Sequence, residues 1–352
     1  MCCDDLMPTP PLLDELRLLV VVDNETDTLS SVDAGVPQIP EMAHLLQRRP
    51  PSRSVGGRPA TEVFGCLCRG CHGFSVLATG RAGDALGTLL FDVGPHADVW
   101  LGNARRLGVD LAAIDAVFLS HWHFDHSGAL PEVVAALTAA RNAAGRSEPV
   151  LVDVHPDRPD QRGVLLTSGA FALLPPEPTF AAIEAAGGRI VTAAEDHALC
   201  GGLFFASGEI ERRTDYETGL VGHHSIRGDR VEPDPLILDE RFVAADVRGR
   251  GVSVLSACSH AGVVNACLAA RQRFAGRPID VVLGGYHLAG HAMEPRIGAT
   301  VRDLHDRIEP RVVASGHCTG WRAKAALAQT FAPGRYGPSV VGSLYRLEAA
   351  GG

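Results

Sequence analysis

The stretch AVFLSHWHFDHSG, Ala116 to Gly128, constrains this chain more than any other. A continuous apolar run, of the kind buried on both faces of a sheet, ends at Ser120. Three histidines and an aspartate then follow within six residues. In an extended segment residues i and i+2 point to the same side, so His121 and His123 converge on one point. Asp125 and His126 lie a turn further on, where the chain bends toward a helix with Pro131 in its first turn, and they face the same space from another direction. Imidazole and carboxylate are ligands that zinc, iron and manganese accept. The plainer alternative is a polar loop that merely contains histidines, and the spacing argues against it.

Two later segments deliver histidines in the same manner. VSVLSACSHAG ends in His260 and RVVASGHCTG in His317, each after a β run and before a helix. Both can therefore lie on the sheet edge that carries His121. The expected metal ligands are His121, His123 and His260, mainly for a first ion, and Asp125, His126 and His317, mainly for a second. His223 and His224, in VGHHS, are weaker substitutes because no motif surrounds them.

Composition narrows the partners. The 352 residues are 46% hydrophobic, enough for ample core. Net charge is −9, from 32 basic and 41 acidic residues. That argues against general nucleic-acid binding, which needs a basic surface, and leaves room for a local basic pocket that takes an anionic small molecule. The early apolar run Leu16–Val22 is far shorter than the roughly 20 residues a membrane span needs. The start, MCCDDLMPTP, is acidic where a signal peptide would be basic. Nine scattered cysteines, an odd number, suit free thiols in a reducing compartment. The expectation is a cytoplasmic protein with a small-molecule substrate, no nucleic acid and no membrane. Oligomeric state is not readable.

The periodicity predicts strands over Leu16–Val22, Ser75–Thr79, Thr88–Asp92, Val150–Val154, Leu236–Leu238, Val252–Ala257, Val281–Leu283 and Val312–Ser315. It predicts helices over Asn103–Leu111, Ala261–Phe274, Arg302–Ile308 and Trp321–Phe331. Residues 36–65 are rich in Pro, Gly and Arg and read as a flexible insertion, a loop or flap. Residues 156–180 read as a second irregular segment, suited to covering a pocket. Long β-rich stretches punctuated by helices point to sheets with helices outside, in one domain spanning 1–352.

With FDVG, HWHFDH and the late SGH, the chain resembles the metallo-β-lactamase superfamily. LVVVDNETD, CHGFSVL, SGEIERRTDYE, SACSHAGVVNA, GGYHLAG and GHCTG make it most similar to one subgroup. That subgroup is named for the synthase that joins a dihydropterin methyl group to ribofuranosylaminobenzene phosphate. The likeness runs from about Leu16 to Leu347. It implies an α/β fold, a four-layer αβ/βα sandwich of two mixed sheets flanked by helices, with metals at one edge. It implies that Asp92 orients the histidine loop by hydrogen bonds, since ligand histidines need their other nitrogen held. It suggests that SGEIERRTDYE lies beside the pocket, where Arg213, with Glu209 near, pairs an anionic substrate. A solvated charged face is the competing reading of that run. His72 is placed at the cavity mouth. His287 follows glycines that permit close backbone approach, and it could donate to a substrate oxygen. The superfamily's usual Gly-His-Thr turn and metal-bridging aspartate are both missing, and His260 lies where one of them would be expected. CLCRGCH, from Cys66 to His72, lacks a second cysteine pair, so ordinary packing is favoured over a structural zinc.

Two cations can hold a water and lower its pKa toward neutrality. Hydrolysis of an ester, lactone, amide or phosphoester is then the default chemistry. Asp125 would shuttle a proton and His287 would stabilise developing charge. Zinc, two ions, is the expected cofactor, with iron or manganese as alternatives. The subgroup likeness allows a transferase instead, condensing a dihydropterin methyl group with a phosphorylated arene. A di-iron oxidoreductase and a non-catalytic metal-binding protein are less favoured. The first usually works beside a flavin domain for which there is no motif here, and the ligand set argues against the second.

Overall fold

The computed structural model describes residues 10–351, so Cys2 and Cys3 lie outside the described residues. The seven remaining cysteines are free thiols.

Period-two alternation builds the centre of the molecule. From one sheet, Leu16, Leu18 and Val20 of strand Glu15–Val22 face inward with Leu89 and Phe91 of Ala85–Phe91. Ala116 and Phe118 of Ala116–Phe118 join them. From the other sheet, Leu255 of Gly251–Ser256, Val281 and Leu283 of Ile279–Gly285, and Val312 and Ala314 of Val312–Gly316 meet this layer.

The alternate residues pack outward. Leu90, Val117 and Val152 lie against Trp100 and Ala104 of helix Ala97–Leu107 and Val133 and Leu137 of helix Leu130–Ala143. Val254, Val282 and Val313 lie against Val264 and Cys267 of helix Val263–Arg273 and Leu327 of helix Trp321–Phe331. A strand covered on both faces must be apolar without interruption, which explains runs such as AVFL. The result is the four-layer αβ/βα sandwich.

Both sheets are mixed, one of eight strands and one of six. Ala85–Phe91, Ala116–Phe118 and Val150–Val154 run parallel in the first. Gly251–Ser256, Ile279–Gly285 and Val312–Gly316 run parallel in the second. The carboxyl ends of parallel strands open onto a crevice, the usual place for a site in such sheets. Among the described residues no helix is long and apolar enough to cross a membrane.

The structure departs from the sequence expectations in four places. Residues 36–65 carry regular structure: strand Gln38–Ile39 on the sheet edge, helix Glu41–Arg48 and the hairpin Arg53–Val55 with Arg58–Ala60. Glu41 anchors the helix, its buried carboxylate accepting from Cys68 N at 2.5 Å and Thr28 Oγ1 at 3.2 Å. Residues 156–180 are irregular only in part. Gln161–Leu165 and Phe171–Leu173 pair with His223–Arg227 and Arg230–Pro233 in a small antiparallel sheet. Leu236–Leu238 is a turn, with Ile237 at φ +50° and its N–H donating to Asp234. The first helix is shifted: it starts at Ala97 and closes at Gly108, whose φ of +65° ends it before Leu111.

Candidate metal centre

The crevice gathers side chains from strand ends of both sheets. His121 and His123 follow Ala116–Phe118, while Asp125 and His126 sit on the short helix Phe124–Ser127. Cys258 and His260 follow Gly251–Ser256, His287 follows Ile279–Gly285, and His317 follows Val312–Gly316. Close approach of these strand ends needs glycine at Gly285, where a Cβ would lie 2.5 Å from Ala257 O and 2.7 Å from Cys318 Sγ. Four non-glycine residues at these exits hold left-handed backbone: Asp92, Ser259, His287 and His317, with φ between +43° and +57°. Such conformations persist where the surroundings over-determine them, and they concentrate at functional sites.

Two donor clusters result. The first is His121, His123 and His260, with His123 Nδ1 2.9 Å from His121 Nε2 and 3.2 Å from His260 Nε2. The second is Asp125, His126, His317 and Cys258. Cys258 Sγ lies 3.2 Å from His126 Nε2 and 3.3 Å from His317 Nε2. Asp125 Oδ2 lies 3.5 Å and 3.3 Å from the same two nitrogens.

Hydrogen bonds behind the rings decide which nitrogen carries the proton. Ser120 Oγ donates to Asp92 Oδ2, so it accepts from His121 Nδ1 at 2.9 Å and leaves His121 Nε2 a lone pair. His223 Nδ1 donates to the Asp234 carbonyl at 2.7 Å. Burial, with Arg162 adding to it, lowers the pKa of His223 to about 4, so its Nε2 is an acceptor. His123 Nε2 donates to it at 2.8 Å, which leaves a lone pair on His123 Nδ1. Asp92 accepts from His126 Nδ1 at 2.8 Å, and Asn24 Oδ1 from His317 Nδ1 at 3.0 Å. His121 Nε2 and His123 Nδ1 thus present lone pairs to the crevice, and the Nδ1 atoms of His126 and His317 are held from behind. His260 Nδ1 has no partner.

This arrangement fits cations. Burial holds His121, His123 and His260 well below the ordinary histidine pKa, so they are neutral at pH 7. The lone pairs of His121 Nε2 and His123 Nδ1 then face each other at 2.9 Å with no proton between them, a repulsion that a cation relieves. In the second cluster burial opposes charge on His126, but Asp125 and Asp92 outweigh it and raise the ring to about 9. A field that holds a proton on a buried ring also favours a divalent cation. Three imidazoles on one side, and two imidazoles, a carboxylate and a thiol on the other, are donor sets of the zinc type.

Asp92 accepts from Ser120 N at 2.7 Å as well as from Ser120 Oγ and His126, so it orients the loop from behind. His72 stands at the mouth, with Nε2 3.4 Å from Asp125 Oδ2. His287 lines the cavity, its ring 4.3 Å from that of His260 and its Nδ1 without a partner. Arg213 and Glu209 are not brought to this cavity, which corrects the expectation for both. They line a separate groove with Glu211 and Gln272. Asn265 Oδ1 accepts from Arg213 N at 2.9 Å, and the guanidinium pairs with Glu211 instead. CLCRGCH forms no metal-binding group among the described residues, and Cys68 packs in the core.

Several participants escaped the sequence reading. Cys258 is one of the scattered thiols in the sequence, although it stands two residues before His260 on a strand exit. Cys318 Sγ lies 3.5 Å from Cys258 Sγ, and with His287 the two form a further nitrogen–sulfur group. Glu240 accepts from His260 N at 2.8 Å and Ala261 N at 2.6 Å, holding that loop, and burial pushes its carboxyl up to about 6. Asp23 holds the other loop by accepting from His317 N at 2.9 Å. Buried Arg162 bonds Asp239 at 2.6 Å, and Asp239 accepts from Trp122 N at 2.7 Å. This ties the small sheet to the histidine motif.

Two expectations follow from these supports. His223→Phe removes the acceptor that fixes the His123 tautomer, so affinity at the first cluster falls by about 10- to 100-fold. Competition against a chromophoric chelator measures this, and His223→Gln, which can still accept, restores much of it. Glu177 gives the second. Ser127 donates to its Oε2, while Oε1 is buried without a partner. Burial raises this carboxyl from 4.5 to about 7. A raised carboxyl pKa stabilises the folded state fully below the unfolded value, and that stability is lost as pH rises toward the folded value. Glu177→Gln keeps the acceptor and removes the charge. It should match the parent near pH 4.5 and exceed it by roughly 3 kcal/mol at about pH 8. Urea unfolding at both pH values is the check, and an equal difference at the two would contradict it.

Comparison with known proteins gives the family and the fold. The family model described as the metallo-beta-lactamase superfamily matches residues 69–287. The 7,8-dihydropterin-6-methyl-4-(beta-D-ribofuranosyl)-aminobenzene-5'-phosphate synthase of Methanocaldococcus jannaschii is 27% identical over 274 residues, 74% of this chain and 85% of that protein. The lactamase-like protein nscB of Aspergillus fumigatus is 29% identical over 110 residues, 30% of this chain and 29% of that one. The crystal structure of Tm1679, a metal-dependent hydrolase of the beta-lactamase superfamily, aligns with a TM-score of 0.64 at 23% identity. It covers 96% of this chain and 100% of that one. At that identity the likeness is one of fold.

Proposed function

The chain belongs to the metallo-β-lactamase superfamily, and from that premise we propose that it is a zinc-dependent hydrolase with two cation sites. The observation that carries this reading is the convergence of the two clusters, three nitrogens on one side and Asp125, His126, His317 and Cys258 on the other, on the floor of one cavity. His121, His123 and His260 would hold one ion and the second cluster the other. Bound there, such ions polarise a scissile carbonyl and lower the pKa of a water.

The protein's own groups supply the rest. Asp125, with its pKa held below the usual carboxylate range where the charges of His126 and His317 outweigh burial, is an acceptor that orients a water. His287 lines the cavity and would donate to a leaving oxygen. Asp92, Asn24 and His223 keep the ligand rings in register. Metal analysis of the purified chain, followed by ester and phosphoester assays on zinc- and manganese-loaded protein, tests the reading. Absence of both bound metal and turnover would sink it.

A second reading has one observation in its favour, the likeness to the archaeal synthase over 74% of the chain. On that reading the same cage assists departure of a group from a dihydropterin methyl carbon while an arene attacks. Pterin fluorescence in the purified protein would favour it.

A further inference from the structure

Resting on the hydrolytic reading, we propose that the substrate is a neutral carboxylic ester or lactone with an apolar acyl tail, held by the cavity wall beside the donors. The cavity over the two clusters encloses about 770 Å³, within the range of sites that bury a whole small molecule. Its wall includes Phe124, Val164, Leu174, Pro175 and Leu220, with Trp321 at one rim. Among the described residues that line it there is no arginine or lysine.

The basic groups nearby are engaged elsewhere. Lys324 Nζ lies 2.9 Å from Glu25 Oε1, and Arg322 stacks on Trp321 and pairs with Glu294 at 3.1 Å. Arg162 is buried with Asp239. Glu25, which lines the mouth, is the partner that neutralises Lys324. A phosphate tail, whose recognition needs paired cationic donors, finds none in the wall. An acyl chain finds apolar surface to bury against.

In the reaction, water oxygen bonds to the acyl carbon and the bond from that carbon to the alcohol oxygen breaks. The alcohol oxygen takes one water proton, and the carboxylic acid formed releases the other to solvent.

The test uses the metal-loaded enzyme with 4-nitrophenyl esters from acetyl to decanoyl, beside 4-nitrophenyl phosphate and bis(4-nitrophenyl) phosphate. Each added methylene should raise kcat/KM by about fourfold until the wall is filled. Calorimetric binding of the carboxylate products, acetate to decanoate, reads the tail's affinity without turnover and should rise in parallel. Leu174→Asp combined with Leu220→Asp should flatten both series. Flat series in the parent, or faster turnover of the phosphoesters, overturns the substrate class while leaving hydrolysis standing. A chain-length rise in binding with no ester turned over supports the apolar tail site and overturns the hydrolytic reading. Flat binding with no turnover overturns both.

Discussion

His260→Ala is expected to lower the metal content of the purified chain from about two cations to about one, and to cut turnover of any ester substrate by roughly a thousandfold or more. The ring is one of three that close on a single point, with Nε2 3.2 Å from His123 Nδ1. Without it, two nitrogens cannot complete the three-ligand set that a catalytic zinc site keeps. The loss in rate corresponds to several kcal/mol of transition-state stabilisation, the scale a Lewis acid supplies. His260 is also buried, so the variant must be shown to be folded. Glu240 still bonds the two backbone N–H groups of the loop, which favours a loop that keeps its path. Added imidazole, which can enter the space left, should restore part of both metal content and rate. Unchanged metal content in a folded variant would remove His260 from the site.

How much of this was legible depends on how locally each group is specified. His121, His123, Asp125 and His126 follow one strand within six residues, where extended geometry sends the first two to one side and the bend into a helix brings the other two to the same crevice. His260 and His317 were legible by the same sign, an apolar run that stops at a histidine before a helix. The four layers were legible as continuous apolar strands between helices.

His223 was legible only as a weaker substitute ligand and not as the partner of His123, because it reaches that ring from the small sheet, 100 residues away, and nothing near VGHHS marks it. The strands of that sheet are short and broken by Pro and Gly, so residues 156–180 looked irregular. Their pairing is fixed by partners beyond residue 220. Arg213 misled because a charged run carries no direction of its own. Asn265, on a helix 50 residues later, takes the backbone N–H groups of Arg213 and Thr214 and turns the guanidinium away from the cavity.

Cys258→Ser should weaken the second cluster by at least the roughly 10- to 100-fold that loss of an outer partner costs, because it exchanges a soft anionic donor for a hydroxyl of higher pKa. Cys258 Sγ touches both His126 Nε2 and His317 Nε2, at 3.2 and 3.3 Å. It therefore sits as an anionic donor within the second cluster. Burial, with the neighbouring Cys318 adding to it, raises the pKa of the Cys258 thiol in the free protein. Thiolate ligation would thus appear only on metal binding, with release of a proton. Cobalt(II) makes this visible as a sulfur-to-metal charge-transfer band. That band should be present in the parent, absent in Cys258→Ser, and retained in Cys318→Ser, since Cys318 is 3.5 Å from Cys258 but outside the cluster of Asp125, His126 and His317. The two serine variants are near-isosteric and test the same small region, so a general loss of packing would affect them alike. A band that survives Cys258→Ser, or that disappears only with Cys318→Ser, would move the sulfur ligand to the other strand end. The second cation would then sit nearer His287, among Cys258, Cys318 and that ring.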